Sequence, residues 1–135
     1  MYLKNLNAEQ KELTLDLLIH ASMANNEMDE AEKALIEAYC GEMEIAVRLT
    51  AKLDEAQAMQ RLADISDKIT LRKVLVELTA LIMSDMELDA MEQAFIDKFS
   101  AVTGLNKYEF QEICYLLEEI TRSYRRLNEV INVED

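Results

Sequence analysis

A short acidic pattern occurs twice in this chain, sixty positions apart: Glu27-Met28-Asp29-Glu30-Ala31-Glu32 and Glu87-Leu88-Asp89-Ala90-Met91-Glu92. Each copy follows an apolar helical run and opens another. Laid without a gap, residues 18–36 over 78–96 give seven identical positions, where unrelated segments share roughly one or two. The spacing predicts an internal duplication in which two helix-turn-helix units, residues 7–64 and 67–128, form a single domain spanning residues 1–135.

Helix class follows from what the chain lacks. It has no Pro, two Gly and three Phe against eight Met, and 50% of its 135 residues are hydrophobic. That composition favours helix over turn-rich or β structure, and the length suits one core. Helix starts are marked by an oxygen-bearing N-cap with a carboxylate or amide three positions on: Asn7 with Gln10, Asp29 with Glu32, Asp54 with Gln57, Asp89 with Glu92, and Asn106 with Glu109. Ser66 or Asp67 can start another helix, and residues 43–51 can form one more. The expectation is an all-α, compact domain of seven helices near 7–24, 30–41, 43–51, 54–64, 67–84, 90–103 and 106–128. Gly41 and Gly104 fall where the second and sixth of these should end.

Apolar periodicity assigns a core face to each helix. The first uses Leu13, Leu17, Ala21 and Ala24; the second Ala31, Leu35, Ala38 and Tyr39; the last Ile113, Leu116, Leu117, Ile120, Tyr124 and Leu127. Leu75, Leu78, Thr79, Ile82 and Met83 put the fifth through the centre. Most of the eight Met read as core fillers, with Met86 and Met91 as the candidates for an exposed pair beside the acidic turn.

Charge excludes some partners. Fourteen Lys and Arg against 27 Asp and Glu give a net charge of −13, which repels a phosphate backbone and an anionic membrane surface. Nucleic acid is not an expected partner; a basic or membrane-associated protein, or a cation, is. The longest uncharged stretch is ten residues, 17–26, too short to span a bilayer, so no direct membrane insertion is expected. The opening residues carry no secretory pattern, and Cys40 and Cys114 have no framework spacing, which together point to the cytoplasm.

The doubled turn, each copy preceded by an apolar helix and followed by a D-x-x-E helix start, is joined by the Leu-rich run LDEAQAMQRLADISDKITLRKVLVEL. In this arrangement residues 13–120 resemble the tellurite-resistance TerB family and the related N-terminal domain of DjlA-type membrane co-chaperones. The resemblance implies a single seven-helix domain, a link to stress and metalloid resistance, no catalytic reaction, and an acidic patch for a divalent metal. Carried over by position, that patch corresponds to Asn25, Glu27, Asp29 and Glu32 in the first copy and to Asp85, Glu87, Asp89 and Glu92 in the second.

The chain departs from the family's Asp-Gly turn, having Asn25-Asn26 and Asp85-Met86. Asn26 tolerates a left-handed conformation, whereas Met86 would pay on the order of 1 kcal/mol there, so the fifth helix should end differently from the first. Asn25 also removes one anionic oxygen, which leaves Asp85, Glu87, Asp89 and Glu92 as the stronger set for calcium or magnesium, with Glu27, Asp29 and Glu32 behind it. Asp29–Glu32 and Asp89–Glu92 are equally explained as capping boxes at positive helix ends, where carboxylates need no metal. Asp85, at a negative helix end, is the residue a cation or basic partner would relieve. An EF-hand is excluded, because counting from Asp85 puts Ala90 where Gly is required and Ile96 where Glu is.

His20 is the only histidine; its spacing from Asp16 allows a surface ion pair along one helix. No other constellation suggests catalysis. The expected function is therefore an acidic, non-enzymatic binding module of a stress-response system, with a divalent cation as candidate ligand. A metal-dependent enzyme and a divalent-cation-responsive or buffering protein are the alternatives.

Overall fold

Each helix begins where a side chain closes onto the backbone three residues ahead. The structure, a computed structural model, describes residues 1–24, 27–83 and 88–134. Within them lie six helices and no strand: α1 Ala8–Ser22, α2 Glu30–Met43, α3 Glu55–Ile65, α4 Lys68–Ile82, α5 Ala90–Thr103 and α6 Lys107–Ile131. All five expected capping boxes close reciprocally. Asp67, not Ser66, starts α4 by accepting the Thr70 N–H at 2.8 Å, a bond that holds its carboxyl below the usual range.

The third of the seven expected helices, over 43–51, is absent. α2 runs through Gly41 to Met43, and Glu44 ends it with φ 57, while the Ile45 N–H bonds back to the Cys40 carbonyl at 3.1 Å. Gly41 is thus a helix-interior residue rather than the stop, whereas Gly104 does end α5, with φ 73. Residues 44–54 are then stitched onto α1 instead of coiling. Asp16, 2% exposed, accepts the Lys52 N–H at 3.0 Å, the Leu53 N–H at 3.2 Å and Arg48 Nη1 at 2.6 Å. Arg48 also reaches the Thr50 carbonyl and both the carbonyl and carboxylate of Glu12. Side chains so placed satisfy backbone groups that a helix would have paired.

This overturns the expected Asp16–His20 pair. Asp16 faces inward to Arg48, and His20 Nε2 donates to the Leu53 carbonyl at 2.8 Å. An α1 residue chosen for its local spacing belongs to a contact more than thirty positions away.

α1 packs against α2, α3 and α4; α4 also packs against α5 and α6, and α3 packs against α5. One core joins Leu15, Leu17 and Leu18 of α1 to Val74, Leu75 and Leu78 of α4, with Met59, Leu62 and Phe99 around them. On α2 the buried face is Ile36, Cys40 and Met43; Ala31 and Ala38 are exposed, and Leu35 and Tyr39 are half-buried, so the expected face is displaced by one position. Of the methionines, Met43 and Met59 are core, while Met23 and Met91 are exposed. Cys40 is buried, Cys114 half-buried, and both are free thiols.

The bounds of α4 are those of α1 displaced by sixty, and those of α5 are those of α2 displaced by sixty. Equivalent ends match too: Met23 (φ −94, ψ 3) with Met83 (φ −87, ψ 10), and left-handed Glu44 with left-handed Gly104. The expectation that these two helices end differently is therefore not met at their caps, Met23 and Met83; Asn26 and Met86, the residues it was argued from, lie outside the described residues. The correspondence breaks at the third helix. Eleven residues separate α2 from α3, but only three separate α5 from α6, and α6 is 25 residues long against 11 for α3.

An added Cβ at Gly41 meets no atom within 4 Å. Gly41→Ala should therefore stabilise the protein by about 0.5–1 kcal/mol by removing backbone entropy from a helix interior. Thermal melting checks this; an unchanged or lower melting temperature would mean that α2 does not persist through Gly41 in solution.

Candidate interaction groove

α6 is longer than the body it packs on, and this leaves a groove. At its start, Phe110 is buried and Ile113 and Cys114 are half-buried against α4. Beyond them the apolar face expected to be core is open. Leu116 and Ile120 are each 45% exposed, Tyr124 65% and Leu127 56%, and only Leu117 is half-buried. The periodicity was a correct sign of an apolar face, but among the described residues no element covers its outer part. Between this face, α2 and α4 lies an open cavity of about 910 Å³. Leu35, Ala38 and Tyr39 form one wall, and Val76 and Ala80 the floor.

The polar groups at the closed end already have partners. Glu77, 4% exposed, accepts the Tyr2 N–H at 3.2 Å, and Glu42 accepts the Leu3 N–H at 2.9 Å; both pair with the Met1 amine. Burial opposes the charge on that amine, but the two carboxylates together outweigh it and raise its pKa. The Tyr39 hydroxyl donates to the Glu77 carbonyl at 3.3 Å. Burial, and then the Glu77 charge, push that hydroxyl far above its ordinary range, so it stays neutral. What remains for a ligand is mostly hydrocarbon with the rings of Tyr2, Tyr39 and Tyr124. Such a surface can take an amphipathic helix, the arrangement by which apolar anchors at helical spacing enter a groove.

The acidic residues singled out from sequence lie elsewhere. Asp29 Oδ1 accepts the Glu32 N–H at 2.7 Å and Glu32 returns the bond at 3.2 Å; Asp89 and Glu92 repeat this at 2.8 and 3.2 Å. These four residues cap α2 and α5, and Glu92 is buried. Glu27 is exposed. Asp85 and Glu87, like Asn25, lie outside the described residues. Among the described residues, no three His, Cys, Asp or Glu side chains gather as a metal site would require. No described helix is long and apolar enough to cross a membrane.

Tyr39, Glu42 and Glu77 were not foreseen as site residues. One signal could have located them: the apolar stripe of α6 runs for more turns than α4, the helix beneath it, can cover. Comparison of this chain with protein-family models, with curated proteins and with solved structures finds no match.

Proposed function

We propose that this chain is a non-enzymatic binding module and that its working surface is the groove between α2, α4 and α6. The observation that carries this reading is the open α6 face, where large apolar side chains border a cavity instead of a core. Contiguous apolar surface of that kind marks an interaction site in soluble domains.

Duplication explains why the groove exists. We read α1–α2–α3 and α4–α5–α6 as copies of one three-helix unit, on the strength of the sixty-residue offset in helix bounds and end conformations. In the first copy α3 packs against both its own α1 and the α5 of the other copy. The equivalent seat for α6 lies on α4 and α2. α6 takes the α4 side of that seat and leaves the α2 side as the groove.

The TerB-like resemblance supports the same class and is the sole basis for a stress-response setting. Asp85, Glu87, Asp89 and Glu92, with Glu27, Asp29 and Glu32, remain candidate ligands for a divalent cation, supported by their charge and by the resemblance. Calorimetric titration with calcium, magnesium, manganese and zinc, on the parent and on Asp85→Asn with Asp89→Asn, tests that part; no heat from the parent removes it.

The groove is tested by filling it. Ala38 is exposed on the α2 wall, so Ala38→Arg should keep the helix and obstruct the cavity. Capture from native extract, read by mass spectrometry, should retain a protein on the parent that the variant loses at least tenfold. Equal retention by both would remove the groove as the binding surface.

A further inference from the structure

We propose that Glu42 and Glu77 are a receptor for the chain's own α-ammonium, and that the first residues, held there, form a latch that divides a longer groove. This rests on reading the groove as a binding surface and adds how access to it is controlled.

A buried carboxylate is costly unless a positive group or hydrogen-bond donors meet it. Glu77 is 4% exposed on α4, and among the described residues no Lys or Arg side chain pairs with it. Its carboxylate instead receives the Met1 ammonium and the Tyr2 N–H, each at 3.2 Å. Glu42, from α2, binds the same ammonium and accepts the Leu3 N–H at 2.9 Å. Three successive backbone nitrogens are therefore held by two carboxylates, with the ammonium shared between them. Contacts of this kind recognise charge and main chain together, the mode by which the amino terminus of a peptide is captured. The raised pKa of the ammonium keeps it charged at neutral pH.

The other half of the molecule supplies a comparison. Sixty positions from Glu77, Tyr39 and Glu42 stand Leu17, Phe99 and Val102. Leu17 and Phe99 are fully buried, and α3 packs on both of the helices that carry them. Where a helix gives the cover, these three places are apolar. Where the first residues of the chain give it, they hold two carboxylates and a hydroxyl. The polar groups therefore belong with the chain end and not with the helix pair beneath it, because a helix brings no ammonium to offset a buried carboxylate.

The place of Tyr2 makes this contact a latch. A second open cavity, of about 610 Å³, lies between the first turns of α4 and those of α6, and Tyr2, Val76 and Ile113 line both it and the groove. The two cavities thus follow one furrow along α4 and α6, with Tyr2 standing where they meet. Leu3 is fully buried and tethers the segment, while Met1 and Tyr2 are 75% and 45% exposed. Two hydrogen bonds from amides alone hold a chain end weakly. The ammonium is the added contact that keeps Tyr2 across the furrow, and losing it frees the furrow along its length.

Placing Gly-Ser-Gly ahead of Met1 turns the ammonium into a peptide amide and keeps every residue of the chain. Nuclear magnetic relaxation then reads the latch directly. In the parent the Tyr2 and Leu3 amides should be as ordered as those of the helices, with order parameters of about 0.85. In the extended chain, and in Glu77→Gln, the value at Tyr2 should fall below about 0.6 while the α1 and α4 amides stay as they were. Glu77→Gln keeps the size of the side chain and an acceptor for the Tyr2 N–H, so it removes the charge alone. Nile red, a neutral dye for apolar cavities, should bind the extended chain about tenfold more tightly than the parent, since release of the latch raises the fraction of molecules with an open furrow. Ala38→Arg in the extended chain should abolish that gain. A Tyr2 equally ordered in all three proteins overturns the proposal, as does a mobile Tyr2 with dye affinity unchanged. Extract capture judges the groove reading separately. Capture lost in Ala38→Arg, with Tyr2 still ordered in the extended chain, keeps the groove and removes the latch; capture unchanged by Ala38→Arg removes the groove, and with it any gate upon it.

Discussion

Replacing Arg48 with alanine is expected to cost about 3 kcal/mol of folding stability, at the lower end of the range for breaking a buried ion pair by removing one partner. Among the described residues Arg48 is the one cationic side chain paired with Asp16, whose own side chain is 3% exposed. Without the guanidinium, that carboxylate keeps two amide donors, from Lys52 and Leu53, and these hold the loss near the lower bound. Burial disfavours the Arg48 charge, but Asp16 and Glu12 together outweigh this and raise its pKa. Arg48→Lys should recover only part of the loss, since an ammonium cannot span Asp16, Glu12 and the Thr50 carbonyl with one planar fork. Urea denaturation followed by circular dichroism measures the difference, with a fall in melting temperature on the order of 10 °C. A loss below about 1 kcal/mol would assign the attachment of residues 44–54 to the apolar contacts of Ile45 and Ala51 rather than to this cluster.

Phe99→Ala should be comparably damaging, at about 3–5 kcal/mol, because the ring is fully buried in α5, the helix against which α3 packs. Its counterpart sixty positions earlier is Tyr39, on α2, where the equivalent seat is open. Tyr39→Ala therefore removes a half-buried ring and one hydroxyl-to-carbonyl bond, and should cost only about 1–2 kcal/mol in the monomer. The comparison is informative because the two positions differ mainly in whether a helix covers them. Equal losses measured at low protein concentration would mean that α6 closes over α2 in the isolated chain.

Much of the fold was legible in the sequence, and the reason is locality. Each N-cap faces an amide three residues on, so Asn7, Asp29, Asp54, Asp89 and Asn106 announced their helices without knowledge of any other part of the chain. Gly104 likewise stopped α5, because a positive φ favours a residue without Cβ. The same reasoning failed at Gly41, where the helix continued and a glutamate, Glu44, took the left-handed position instead.

Other features depended on the assembled chain. The buried face of α2 is one position away from the one its periodicity suggested, because α1 decides which side of α2 is covered. Asp16 and Arg48 are 32 residues apart, and neither carries a local sign of the other. The groove was the least accessible feature of all. The stripe from Ile113 to Leu127 states that an apolar face exists, since hydrocarbon at helical spacing must leave water somewhere. Sequence by itself determined that this face needs a cover; the tertiary structure decided that the described helices do not supply it, because α4 is ten residues shorter than α6 and α2 stands a cavity's width away.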